Sequence, residues 1–124
     1  MRNKRSLGAI GERIAARELE KMGYYIMERN FHAGAGEIDL IAQKEGMIVF
    51  VEVKLRTSLG QGLPSEAVTV QKQKHLVEAA KTYIWKKELT DFDFRFDVAE
   101  VLILEKQIMF RYLENAFWVQ EDTI

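Results

Sequence analysis

The sequence predicts an α/β fold: a sheet with flanking helices. Three observations carry this. Two stretches, residues 6–22 and 69–88, repeat apolar side chains at three- and four-residue steps, the period of an amphipathic helix. Five shorter stretches are rich in branched and aromatic residues, and some alternate apolar with polar at period two, as strands do. The order is helix, three strands, helix, two strands, which interleaves helices with one sheet. At 124 residues the chain has the length of one domain, and a single domain over residues 1–124 is expected.

Composition narrows the class. Hydrophobic residues make up 48% and charged residues 30%, enough apolar material for one core in a soluble chain. There is no cysteine, which excludes disulfides and thiolate metal sites and fits a reducing compartment. No apolar run approaches the roughly 18 residues of a membrane span. The start, MRNKRSLGAIGER, lacks the apolar core of a signal peptide. A cytoplasmic protein without membrane attachment is expected. The net charge of −1 is no nucleic-acid footprint, but its distribution is uneven. Met1 to Glu88 holds 15 Lys+Arg against 11 Asp+Glu, and Leu89 to Ile124 holds 3 against 8. A polyanion is better met by the first part, although asymmetry of this size is also common in small domains.

The first helix is expected over Ser6–Met22, with Ser6 as N-cap and Gly23 as C-cap. Leu7, Ile10, Ile14, Ala15, Leu19 and Met22 form its apolar stripe. Glu12 lies at the edge of that stripe and Glu18 nearer its middle, and position alone does not choose which of them faces an interior site. Tyr24–His32 reads as a strand and 33–36 as a glycine loop. Glu37–Ala42 is the second strand, Gln43–Gly46 a turn, and Met47–Leu55 the third strand. On the third strand Val49, Val51 and Val53 share a face that requires a helix against it. Phe50, Glu52 and Lys54 share the other face. Residues 57–64, TSLGQGLP, form a candidate substrate-contacting loop. Thr69 is expected to cap a helix running to about Glu88, with Leu76, Val77, Ala80 and Ile84 inward. Phe94–Leu104 and Ile108–Leu113 are expected as a hairpin around residues 105–107. Phe117 and Trp118 follow in a tail suited to packing back on the domain.

The chemistry concentrates in GAGEIDLIAQKEGMIVFVEVKLR, Gly34 to Arg56. Alternation puts Glu37 with Asp39, and Glu52 with Lys54, on single faces of adjacent strands. Three carboxylates and an ammonium gathered at one end of a hairpin cost free energy unless something binds there, such as a divalent metal and a phosphate. Mg²⁺ takes oxygen ligands from one or two carboxylates and keeps several waters. A neighbouring lysine can hold the attacking water or a phosphoryl oxygen. Asp39, Glu52 and Lys54 match that need, yet a Glu two before a Lys also occurs on ordinary half-exposed strands. His32 and His75 lack partners at metal-ligand spacing and read as surface or packing residues. Asp97 in RFDV reads as a structural partner of Arg95 or a nearby lysine.

GEIDLI, a turn, then VFVEVKLR resembles the core of the PD-(D/E)xK, or restriction-endonuclease-like, nuclease superfamily. There an Asp starts one strand and a (D/E)-x-K triplet ends the next. Asp39 stands as that Asp, with Ile38 where the pattern's Pro would be, and Glu52-Val53-Lys54 as the triplet. LGAIGERIAARELEKMGY, the NF before the glycine loop, GEIDLIA, VFVEVKLR, the helix from Val70 to Trp85 and RFDV together resemble the bacterial YraN-like family, over nearly the whole chain. Archaeal Holliday-junction resolvases are similar at greater distance. They carry a first-helix Glu eleven residues before a Gly and an aromatic, the spacing that Glu12, Gly23 and Tyr24 keep here, which selects Glu12 over Glu18.

The resemblance implies an αβββαβ core on a mixed central sheet, with an extra C-terminal strand. It implies an Mg²⁺- or Mn²⁺-dependent endonuclease acting on DNA, branched or single-stranded, in recombination, repair or DNA uptake. Asp39, Glu52 and the Val53 carbonyl would hold the metal, Lys54 would orient the water, and Glu12 would be an outer ligand. Arg56, Gln71 and Lys74 are candidate DNA-backbone contacts, with a solvated helix face as the plain reading of the last two. Glu37 is expected to close the glycine loop by accepting backbone hydrogen bonds rather than to bind metal. A homodimer and a DNA-processing partner protein are expected by the same analogy. The alternative is a non-catalytic module that binds nucleic acid or protein through the same surface, and nothing in the sequence distinguishes DNA from RNA.

Overall fold

A computed structural model describes residues 4–58 and 68–117 of the chain. The elements are α1 (Lys4–Lys21), β1 (Tyr25–Ala33), β2 (Gly36–Lys44), β3 (Met47–Arg56), α2 (Val70–Lys86), β4 (Asp93–Leu104) and β5 (Gln107–Leu113). This is the expected αβββαβ order with an added C-terminal strand. The strands form one sheet in the order β1-β2-β3-β4-β5. Only β3 and β4 run parallel, so the sheet is mixed. Parallel neighbours need a crossover, and α2 lies on it. Among the described residues no helix is long and apolar enough to cross a membrane.

The two faces of the sheet carry the two helices. Val49 and Val51 pack with Leu40, Ala42, Ala99 and Val101 against Ala15, Ala16 and Leu19 of α1. The valine face thus finds the helical partner it required. On the opposite face Ile41, Ile48, Phe50, Phe96 and Val98 meet Leu76, Val77, Ala79, Ala80 and Tyr83 of α2. The tail closes that side: Phe117 stacks on Phe96 with ring centroids 4.7 Å apart, and Ala116 N–H donates to the Phe96 carbonyl at 2.7 Å. Trp118 lies outside the described residues.

Local chemistry sets most boundaries. Thr69 caps α2, its hydroxyl accepting from Lys72 N–H at 3.2 Å. Gly23, with φ of 96°, ends the first helix in the left-handed conformation expected of a C-cap. Ser6 does not begin that helix: α1 extends upstream through Lys4, and lysine and arginine are better helix formers than serine. The β2–β3 turn is tighter than expected. Lys44 pairs with Met47, leaving two turn residues, Glu45 and Gly46, both at positive φ, the backbone demanded by a twisted two-residue hairpin. Of the loop at 57–64, only Thr57 and Ser58 are described.

Asp97 is structural, as expected. It is fully buried on the α1 face, takes three bonds from Arg95 (Nε to Oδ1, 2.9 Å, and to Oδ2, 3.1 Å; Nη2 to Oδ2, 2.9 Å) and receives the Tyr112 hydroxyl and Asn115 N–H at 3.0 Å. Arg95 also donates to the Tyr24 hydroxyl at 2.7 Å. Its charge is satisfied on all sides, and the network ties β4, β5 and the start of the tail together.

Candidate functional site

The site forms where β2 parts from β3. Their ladder starts at Leu40–Val51 and runs to the turn. One residue earlier, Asp39 turns its carboxylate across the gap, and Oδ2 accepts from Val53 N–H at 2.8 Å. The carboxylate thus replaces the ladder bond that β2 would have supplied. Along a strand the N–H and C=O of one residue point to the same side, so the Val53 carbonyl is also directed to the gap.

A paired distortion makes this possible. Leu40 and Ala42 face α1, but Ile38 faces α2. Strict alternation would put all three on one side, so the strand changes face at Asp39. Opposite it, Asn30 lies in β1 between the pairs Arg29–Leu40 and Phe31–Ile38 and adopts φ of 52° without a shift of register. Asn tolerates this left-handed conformation better than other residues with a Cβ, save Asp. The strand ends then roll onto α2. Phe31 meets Tyr83 edge-on at 5.0 Å, and Gly36 lies so close to the helix that an added Cβ would stand 2.2 Å from the His75 carbonyl oxygen. One consequence departs from expectation: Glu37 does not share a regular face with Asp39. It is exposed and stands 3.6 Å from His32 across the hairpin, and that contact, rather than a loop hydrogen bond, is what it makes.

Glu52 comes from the α2 face of β3 and is buried, only 7% exposed. Its Oε1 is ion-paired with Lys72 in the first turn of α2. Lys54 follows two residues on, same face, exposed to solvent. Glu12 approaches from α1. Its carboxyl lies near the Asn30 side chain, which lowers its pKa, and senses the charges of Glu37, Arg29 and Glu52. Glu18 instead pairs with Lys21 at 2.9 Å, away from the site. The electrostatics reflect one crowded acidic cluster. Burial, and then the Glu52 charge, push the Asp39 carboxyl up to about 7, against the lowering effect of the Val53 hydrogen bond; Glu12 and Glu37 add to the rise. Burial likewise raises Glu12 above the usual carboxylate range, opposed by the Asn30 side chain.

Among the described residues no three acidic, His or Cys side chains converge as a complete cage for a metal. The candidate donors are the Asp39 carboxylate and the Val53 main-chain carbonyl at the gap, with the Glu52 carboxylate, paired with Lys72, near enough for its charge to raise Asp39. That is an all-oxygen, incomplete set suited to a hard cation that retains water. Glu12 is coupled to it through charge alone, which suits an outer position.

Arg56 is corrected by the structure. It is buried, and its Nε stands 2.6 Å from Oε2 of Glu100, in ion-pair contact without hydrogen-bond alignment. Glu100 is the register partner of Lys54 across the parallel β3–β4 pair, so Arg56 reaches it diagonally from two residues on, and Glu100 also takes Arg111 Nε at 2.6 Å. An arginine held there does not present itself to a DNA backbone. Gln71 and Lys74 are exposed on the first turns of α2. The residue of that helix that meets Glu52 is Lys72, which nothing in the sequence singles out among the lysines of α2, just as nothing there marks the left-handed Asn30. With Thr69 as N-cap, Lys72 stands on the opening turn that faces β3.

Known proteins resemble this chain along its length. The model of the uncharacterised protein family UPF0102 matches residues 11–101. A UPF0102 protein of Alkaliphilus metalliredigens is 53% identical over 114 residues, covering 91% of this chain and 98% of its own. One of Caldanaerobacter subterraneus is 46% identical over 118 residues, covering 93% and 97%. Among solved structures, Hjc of Archaeoglobus fulgidus, a Holliday junction resolvase from an archaeal hyperthermophile, is similar with a TM-score of 0.44 and 21% identity over 86% of this chain and 75% of that one. The family match over most of the chain and the identity to full-length relatives agree with the YraN-like pattern in the sequence: the chain belongs to the UPF0102 family.

Proposed function

We propose that the protein is a metal-dependent endonuclease that hydrolyses DNA phosphodiester bonds. The observation that carries this reading is the Asp39 carboxylate lodged on Val53 N–H at the opening of β2 from β3, beside buried Glu52 and with Lys54 on the next same-face position. Asp39, Glu52 and the Val53 carbonyl would hold Mg²⁺ or Mn²⁺, hard cations that take oxygen donors. The chemistry supplied by such a cation would be a more acidic water and neutralisation of charge building on the phosphate. Lys54, exposed on the same face as Glu52, would orient the attacking water. Glu12 would contribute from the outer shell, near Asn30. The donor chemistry supports the metal, and the resemblance of the sequence to PD-(D/E)xK nucleases supports DNA as the substrate class. We place the enzyme in the cytoplasm, working as a homodimer with a DNA-processing partner on branched or single-stranded DNA in recombination, repair or uptake.

The test is cleavage of a panel of duplex, flap, four-way-junction and single-stranded DNA with Mg²⁺ or Mn²⁺. At least one substrate is cut, and cutting is lost in Asp39→Ala and in Lys54→Ala. Cutting that persists in both variants overturns the assignment. One observation favours a second reading, a binding module without catalysis: Lys72 already neutralises Glu52. That reading predicts no cleavage and no metal uptake. Nucleic-acid binding that weakens steeply with salt, or salt-insensitive binding of a protein, would then identify the ligand.

A further inference from the structure

We infer that Lys72 is a positioning residue, an internal counter-cation that occupies Glu52 in the metal-free protein and must leave before a divalent cation binds. This rests on the metal-site reading above. Lys72 pairs directly with Glu52 Oε1, one of the two carboxylates assigned to the metal. Its location is otherwise unfavourable. A helix N-terminus repels cations, and α2 opens with no acidic residue in its first turn. The backbone there is fixed by the Thr69 cap on Lys72 N–H, so the lysine is built into the opening turn rather than drawn from a flexible loop. Glu52 is what makes a lysine tolerable at that position, and Lys72 in turn makes a buried Glu52 tolerable beside Asp39.

The pair is unevenly exposed: the Lys72 side chain is 42% accessible and that of Glu52 only 9%. The ammonium therefore has a route to water that leaves the fold intact, whereas Glu52 stays where β3 puts it. Cation arrival exchanges one counter-ion for another at a fixed carboxylate. Lys72 then stands free on the same rim as Lys54. A partly exposed ion pair of this kind is worth up to about 1 kcal/mol, so its competition weakens metal binding by about five-fold.

Mn²⁺ affinity by titration calorimetry on metal-free protein, at fixed pH and salt, tests this without reference to activity. Lys72→Met is expected to bind about five-fold more tightly than wild type. Lys72→Arg, which keeps the charge, stays within about two-fold. So does Lys81→Met, a charge loss roughly 13 Å further along the same helix. A merely structural lysine predicts the opposite, weaker or equal binding in Lys72→Met, and that result overturns the inference while leaving the metal site standing. Should Lys72→Met fail to fold, Lys72→Gln replaces it with the same expectation. If neither wild type nor any variant takes up Mn²⁺, the metal-site reading itself fails and the counter-ion role fails with it.

Discussion

Replacing Asp39 by Asn should stabilise the metal-free protein at neutral pH, although it removes a residue central to the proposed chemistry. Asp39 is pushed up from 3.8 to about 7 by burial and by the Glu52 charge. Between those values the folded protein keeps a proton that the unfolded chain has released. The favourable contribution is complete below about pH 4 and is lost as pH rises through 7. A rise of roughly three units corresponds to at most about 4 kcal/mol, at about 1.4 kcal/mol per unit. Part of that belongs to Glu52, so about 2 kcal/mol is expected. Asn keeps an oxygen to accept from Val53 N–H, so the strand opening is preserved. Urea unfolding in EDTA, followed by circular dichroism, measures the difference. At pH 4.5 the two proteins should be nearly equal. At pH 7.5 the variant should be more stable by about 2 kcal/mol. A variant that is less stable at pH 7.5, or a difference that ignores pH, refutes the electrostatic account.

The remaining predictions concern the scaffold of the site. Gly36→Ala puts a Cβ against the His75 carbonyl at 2.2 Å, which backbone cannot yield to, so thermal unfolding should show a loss of at least about 2 kcal/mol. Glu100→Gln removes the buried carboxylate charge that Arg56 and Arg111 both meet and should cost about 3 kcal/mol in urea unfolding at pH 7. Thr69→Ala removes the α2 cap and should cost about 1 kcal/mol, restored by Thr69→Ser.

The parts of this protein that local chemistry determines were legible in its sequence. Gly23, Thr69 and the valines of β3 stand where propensity and periodicity put them, because caps and amphipathic faces depend on a few neighbouring residues. The mixed αβββαβ arrangement followed from the family resemblance more than from periodicity, since alternation does not tell which strands are parallel. Asp39 and Glu52 were identified by their motif, but the reason they meet was not visible. It lies in the face change at Asp39 and the left-handed Asn30 opposite, which alternation denies and only the packing of Phe31 and Gly36 on α2 enforces. Long-range charge pairing was equally hidden. Arg56 follows the triplet and reads as a candidate phosphate contact, yet Glu100 is reached only once β4 lies parallel to β3. Lys72 was lost among the lysines of one helix because the choice between them depends on the angle of α2 to the sheet.

The proposed chemistry requires a divalent cation between the two strands. A crystal soaked in Mn²⁺, measured at a wavelength where manganese scatters anomalously, tests it most directly. The account predicts one anomalous peak within coordination distance of Asp39, Glu52 and the Val53 carbonyl, with the Lys72 ammonium withdrawn from Glu52. A soaked crystal with no peak there, and Lys72 still on Glu52, contradicts it.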